Sequence, residues 1–344
     1  FKVYRCIKNQ VHYATLYVDH ISMTSINRRF CIAPMLDCTD RHDRFFMRLL
    51  SKHILLYSEM ITTSAIMHGD RDYLLGFDET EHPVVVQLGG SDPEVLSQTA
   101  KICEDYGYDE INLNVGCPSD RVQSGAFGAC LMAQPELVAE CVVAMKSATS
   151  LPVTVKHRTG IDDQDSWDEL VKFIQLQVDA GVDALIIHAR KAWLSGLSPK
   201  QNRDIPPLQY DWVYKLKQMF SDTEIIINGG IKTLQQCQQH LQHVDGVMLG
   251  REPYANPFML ANLDAELFGD PATSVDRLQI LQKFYPYIES HMSKGMKLSH
   301  VIRHIIGLFH GQPNGRLWRR YLSENSFKKG AGIEVIQQAA KLVT

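Results

Sequence analysis

The stretch PVVVQLGGSDPEVLSQTAKICEDYGYDEINLNVGCP, residues 83–118, decides the fold. Residues 83–89 are a short apolar run, residues 93–106 carry apolar side chains at helical spacing, and residues 110–114 return to a run in which Ile111 and Leu113 alternate with Asn112 and Asn114. The reading is strand, helix, strand. Strands rich in Val, Ile and Leu that alternate with helices imply a parallel sheet whose faces are covered.

The unit recurs along the chain. Strands are expected at FCIAP (30–34), LLYSEM (55–60), PVVVQLG (83–89), EINLN (110–114), PVTVKHR (152–158), ALIIHA (184–189), EIIIN (224–228) and GVMLG (246–250), with helical patterns at 135–148, 166–180 and 233–242 besides 93–106. Eight units in this span fit a (β/α)8 TIM barrel better than an open doubly wound sheet. From Thr273 onward the pattern is helical only, broken at Gly295, Gly307, Gly311 and Pro313. The expected class is therefore α/β, with a barrel over residues 23–272 and a C-terminal helical domain over 273–344. Residues 1–22, ahead of Met23, read as an upstream extension or a loosely held tail.

Composition narrows the function. With 344 residues and 45% hydrophobic content the chain can bury a large core, and it has no apolar run long enough for a membrane span and no secretory pattern at its start. A cytoplasmic protein is expected. The eight cysteines show no C-x-x-C spacing, which suits a reducing compartment and supports neither a disulfide scaffold nor a metal site. The net charge of −4 hides an asymmetry: residues 273–344 hold 11 Lys and Arg against 4 Asp and Glu, the rest of the chain 24 against 35. A basic C-terminal segment on an acidic body points to a polyanion held at one end, or to a solvated basic helical surface.

A barrel of this kind does its chemistry where its strands finish. Polar residues stand at those ends: Gln87, Asn114 followed by Cys117, Lys156 and Arg158, His188, Asn228-Gly229-Gly230, and Gly250-Arg251. Strand periodicity puts Lys156 and Arg158 on one face, as a pair of cations in the barrel mouth or as a snorkelling surface pair. The glycines after strands 7 and 8, with Arg251, fit a phosphate site. His188 alone reads as a core histidine, Gln87 as a strand cap and Cys117 as a packing cysteine. Together, two groups able to hydrogen-bond a flat ring, a cation and a phosphate site fit a flavin mononucleotide across the mouth. A Schiff-base aldolase with Lys156 as nucleophile, and an RNA-binding barrel without chemistry, remain open on the residues alone.

The motifs APMLDCTDRHDRFF, VVVQLGG, INLNVGCPSDRVQSGAFGACLM, VKHRTG, HARKAWLSGLSPKQNRDIPPL, NGGI, DGVMLGR and GRLWRR closely resemble the tRNA-dihydrouridine synthase family, A type, over about residues 30–325. The resemblance implies FMN-dependent reduction of the 5,6 double bond of uridine in tRNA, at D-loop positions 20 and 20a, with NADPH as a transient electron donor and no protein partner indicated. It implies flavin contacts from Pro34, Met35, Leu36, Gln87, Lys156, His188, Asn228, Gly229, Gly230, Gly250 and Arg251, and makes Cys117, as a thiol, the proton donor. Cys130, in the same glycine-rich loop, is the one rival thiol, and the remaining cysteines read as packing residues. tRNA contacts are expected from Asn114, Arg158, Lys200 and Arg203, and from Arg316, Arg319 and Arg320, which share a helix face while Trp318 and Leu322 anchor the helix.

Overall fold

A computed structural model describes residues 26–343; the expected extension over residues 1–22 lies outside the described residues. Eight strands, β1 (Phe30–Ile32), β2 (Leu55–Thr62), β3 (Val84–Gly89), β4 (Glu110–Val115), β5 (Val153–Arg158), β6 (Ala184–His188), β7 (Glu224–Asn228) and β8 (Gly246–Leu249), follow one another around a closed barrel. Every neighbouring pair is parallel, and β1 closes on β8 through Cys31 opposite Met248. The TIM barrel expected from the repeat is present.

The strands are buried on both faces, and the two faces differ in kind. Val84, Val86 and Leu88 of β3, with Ile111, Leu113 and Val115 of β4, pack outward into the main core. Their alternates point inward: Val85 joins the apolar interior with Leu55, Ile186 and Ile226, and Gln87, Asn112 and Thr154 meet across the registers Gln87–Asn112 and Asn112–Thr154. Inward polar residues are tolerated because they bond one another. At the lower end Arg28 donates to Glu110 at 2.7 Å and to Glu224 at 2.6 Å. Burial lifts the Glu110 pKa, and the Arg28 charge with hydrogen bonds from Thr154 and Tyr57 opposes the rise.

The longer helices of the barrel are α1 (Arg41–Arg48), α2 (Pro93–Asp105), α3 (Pro135–Ala148), α4 (Trp167–Asp179), α5 (Tyr210–Met219) and α6 (Leu234–His240). Their starts are chemically marked: Asp40 caps α1, Asp92 caps α2 with Pro93 following, and Ser166 with Glu169 and Thr233 with Gln236 form capping boxes.

After the barrel come α7 (Arg277–Ser293), α8 (Leu298–Ile305), α9 (Gly315–Asn325) and α10 (Ile333–Ala340). They dock on α1. The Phe45 ring lies 3.9 Å from that of Tyr287, Phe46 lies 5.2 Å from Phe284, and Asp40 pairs with Arg303 and, at 3.1 Å, with His304. One continuous apolar core runs from the barrel helices into this segment. In α9, Trp318 and Leu322 are fully buried and Arg316, Arg319 and Arg320 are exposed, the division that helical spacing predicts.

Candidate active site

The C-terminal strand ends open into one cleft of about 2360 Å³, walled on one side by the barrel loops and on the other by residues of α7 and α8. That volume exceeds the several hundred cubic ångströms a small ligand needs. There is room for a cofactor and for part of a larger substrate. Eleven Lys and Arg side chains line it against five Asp and Glu, on a chain whose net charge is −4, so the cleft is the place where an anion is drawn in.

Cys117 lies on the wall of this cleft, just beyond β4. Its N–H and that of Gly116 donate to Asn114 Oδ1 at 3.0 and 3.1 Å, and its Sγ donates to Ser119 Oγ at 3.5 Å. Asn114 is held in turn: its Nδ2 donates to Gln87 Oε1 at 2.8 Å, Gln87 Nε2 to Asn112 Oδ1 at 2.8 Å, Asn112 Nδ2 to Thr154 Oγ1 at 2.9 Å, and Thr154 Oγ1 to Glu110 Oε1 at 2.7 Å. A single file of donors thus runs from the backbone of Cys117 down the barrel interior to a carboxylate. Each bond fixes the amide orientation of the next. Asn112, which no sequence signal marked, is its middle link.

Lys156 and Arg158 both point inward from β5, as their spacing predicts; Arg158 is buried in the mouth and Lys156 half-buried, neither snorkelling at the outer surface. Burial, with the Arg158 charge adding to it, brings the Lys156 pKa down to about 7. Its Nζ donates to Asn228 Oδ1 at 3.2 Å, and Asn228 Nδ2 donates to the Met248 carbonyl at 2.7 Å. Arg158 is largely engaged with backbone: its Nε donates to the Gly116 carbonyl at 2.8 Å, and its Nη1 to those of Lys191 and Asn202, each at 3.1 Å. It braces the Cys117 turn against the long loop after β6 while lining the cleft. His188 is opposite Arg158 on one side and Asn228 on the other. Burial and the neighbouring cations keep it neutral, well below its ordinary pKa.

Beyond His188 the wall is bare backbone. Gly229 and Gly230 have φ of 114° and 73°, a region that side chains avoid. A Cβ on Gly229 would come within 2.6 Å of His188 Cδ2, and one on Gly250 within 2.9 Å of Met35 Sδ. Arg251, next to Gly250, is half exposed and pairs with Asp204 at 2.8 Å. Pro34, Met35 and Leu36 also line the cleft. The Met35 N–H is taken by Thr39 Oγ1, and its carbonyl by the N–H groups of Cys38 and Thr39, all at 3.0 Å.

The cleft gathers Cys117, Asn114, Arg158 and Arg203 with every residue expected to hold the cofactor. Lys200 is exposed on the loop after β6 but outside the cleft lining, and Arg316, Arg319 and Arg320 lie on α9, also outside it. Cys130 is outside as well, its thiol donating to the Phe127 carbonyl at 3.1 Å. The packing assignment of Cys38 needs correction. Cys38 lines the cleft, half-buried, with burial and the nearby Asp43 carboxyl pushing its thiol pKa to about 11. Among the described residues no group of three His, Cys, Asp or Glu side chains is placed to hold a metal ion, and no helix is long and apolar enough to cross a membrane.

Comparison with known proteins agrees with this arrangement. The sequence model of the dihydrouridine synthase family matches residues 31–344. The tRNA-dihydrouridine(20/20a) synthase of Shigella flexneri is 60% identical over 316 residues, covering 92% of this chain and 93% of the relative. That of Shewanella oneidensis is 58% identical over 319 residues, 93% and 95% of the two chains, and that of Escherichia coli (strain K12) is 59% identical over 316 residues, 92% and 91%.

Proposed function

The chain belongs to the dihydrouridine synthase family, and on that premise we propose that it reduces uridine to dihydrouridine in the D-loop of tRNA, at positions 20 and 20a, with FMN bound in the barrel mouth, NADPH as transient reductant and Cys117 as proton donor. The observation that carries the reading is the pairing within one cation-lined cleft of a backbone-anchored thiol and a glycine cradle. An aldolase built on Lys156 has use for the cradle and none for the thiol.

The residues fit FMN. His188, Leu208 and Met35 pack so closely on Gly229, Gly230 and Gly250 that none could carry a Cβ without a shift, which keeps this stretch of wall as backbone suited to phosphate oxygens, and Arg251 adds positive charge beside it. Gln87 and Asn228 line the mouth with amides whose orientation interior bonds fix, His188 adds a neutral imidazole, and Pro34 to Leu36 form the opposite rim. Lys156, with a pKa near neutrality, is suited to take up a proton when negative charge arrives beside it. When bound, the flavin supplies the hydride chemistry that saturates C6 of the uracil at the expense of NADPH, which leaves as NADP+.

The chain's own task is the other half of the addition. Cys117 Sγ holds the proton that goes to C5, and the thiolate left behind is reprotonated from solvent. Asn114 and Arg158 fix the turn that aims the sulfur. A uracil reaches this depth only when turned out of its stack, so the remaining tRNA is held by separate surfaces. We assign this task to residues 273–344, with Arg316, Arg319 and Arg320 on phosphates and Lys200 and Arg203 nearer the mouth, leaving the chemistry to 23–272.

The test is Cys117→Ala. The variant is expected to purify yellow with parental FMN content and tRNA affinity, and to form dihydrouridine in unmodified tRNA transcript about 10²–10⁴-fold more slowly, the usual contribution of a positioned acid. Equal rates for variant and parent remove Cys117 from the role, and a colourless parent that forms no dihydrouridine removes the function.

A further inference from the structure

Large apolar side chains left in water are ordinary when scattered, and informative when they converge. Among the described residues the three most exposed are Phe327 at 78%, Tyr73 at 77% and Leu36 at 64%. All three line the catalytic cleft, whereas the other exposed ones, Val143, Ile205, Met219, Leu317 and Leu342, do not. They come from three distant places: the loop after β1, the short helix Arg71–Leu75 that follows β2, and the turn after α9. Packing does not explain them, since none is covered.

Both aromatic rings sit on fixed backbone. The Tyr73 N–H donates to Asp70 Oδ1 at 3.0 Å, while Arg41, itself a cleft residue, donates to the carbonyls of Asp72, at 3.3 Å, and Tyr73. Phe327 directly follows Ser326, the buried C-cap of α9, whose N–H donates to the Leu322 carbonyl at 3.0 Å. The helix that carries it is anchored by buried Trp318 and Leu322 and bears Arg316, Arg319 and Arg320 on its exposed side. Each ring therefore stands at the border of the cleft with the excess positive charge described above.

We infer that Tyr73 and Phe327 are stacking surfaces for tRNA nucleotides that leave their base stack around the target uridine. The inference rests on the proposed function and adds what that reading lacks, a place for the neighbours of the extruded base. Drawing one base out unstacks those beside it, at a cost of a few kcal/mol. An aromatic face recovers part of that cost whatever the base, because every base has a π-face. The cations hold the phosphates, and the rings hold the opened loop apart.

The experiment titrates the parent protein, Tyr73→Ala, Phe327→Ala and the double variant with unmodified tRNA transcript and with a fully paired RNA duplex of similar length, over a salt series. Each alanine is expected to weaken transcript binding between about 5-fold and 150-fold, the effect of losing one base stack. The slope of log affinity against log salt stays as in the parent, because no phosphate contact is lost. Duplex binding stays unchanged. Tyr73→Phe and Phe327→Tyr retain parental affinity, whereas Tyr73→Leu and Phe327→Leu, which keep apolar area without a ring, bind as the alanine variants do. Thermal midpoint and flavin content should not move, since side chains this exposed pack against little. Parental transcript affinity in the alanine variants, or an equal loss on the duplex, overturns the inference. If the parent itself forms no dihydrouridine in the transcript, the proposed function has failed instead; if it does and the alanine variants bind like it, only the stacking role has failed.

Discussion

Thr154→Val asks whether the interior chain of donors positions the thiol or only holds the barrel together. Thr154 is fully buried; its hydroxyl accepts from Asn112 and donates to Glu110, at 2.9 and 2.7 Å. Valine keeps the shape and removes both bonds. The Asn112 amide is left with a donor that no water reaches, and Glu110 keeps Arg28 and Tyr57 but loses its third donor. An orphaned buried donor together with a lost bond to a charged acceptor costs roughly 2–4 kcal/mol. That is enough to turn the Asn112 amide toward another acceptor, which releases the orientation it imposes on Gln87 and, through Gln87, on Asn114. Asn114 Oδ1 is the acceptor for the N–H groups of both Gly116 and Cys117, so the loosened end of the chain is the one that carries the sulfur. A displacement near 1 Å at a reacting group costs about 100-fold. Single-turnover dihydrouridine formation, with enzyme in excess and FMN and NADPH saturating, is expected to fall 10- to 100-fold by that argument, with tRNA affinity unchanged. Thr154→Ser restores the rate because it restores the hydroxyl. A valine variant that loses the expected stability to urea and still turns over at the parental rate refutes the positioning role and leaves the chain a structural feature only.

The remaining predictions concern the grip, the lysine and the cradle. Charge reversal at Arg319 and Arg320 should weaken tRNA binding and flatten its salt dependence while NADPH oxidation by the bound flavin persists; an unchanged affinity across the salt series removes α9 from the interface. Lys156 has a folded pKa of about 7 against an ordinary 10.5, so between those values the unfolded chain binds the extra proton and stability rises with pH. Flavin-free protein should show this rise, by up to roughly 1.4 kcal/mol per pH unit, and Lys156→Met should remove it from urea midpoints measured at pH 7 to 10. Identical pH profiles for the two proteins contradict a buried, desolvated lysine. Gly229→Ala forces a side chain into a φ of 114° and against His188; it should purify with little flavin and a lowered melting point, and full flavin occupancy would show that the cradle tolerates a methyl group.

How far the sequence reaches is visible in β4 and β5. Period-two spacing puts Lys156 and Arg158 on one face, and the closed barrel turns that face into the mouth, so both positions were legible. The use of Arg158 was not, because the carbonyls it engages belong to Gly116, Lys191 and Asn202, which only the packing of separate loops brings together. Asn112 was hidden for the opposite reason. Alternation with Ile111 and Leu113 is the pattern of a strand with one wet face, and nothing in β4 says that the polar face is closed off inside a barrel, where Gln87 and Thr154 are its hydrogen-bond partners. Cys38 was misread because a thiol beside an apolar strand normally packs, and its exposure depends on how the loop after β1 turns at Asp37, which holds a φ of 61°. Tyr73 and Phe327 carry no local mark at all, since exposure is decided by what other segments fail to cover. Strand periodicity located the side chains at the barrel mouth that we propose meet the cofactor and the uracil; it marked neither Asn112, the link behind the thiol, nor the exposed rings proposed to meet the rest of the tRNA. The division follows from the architecture, because a barrel fixes its strand ends by closure, whereas its loops and its appended helices are placed only by contacts between segments far apart in the chain.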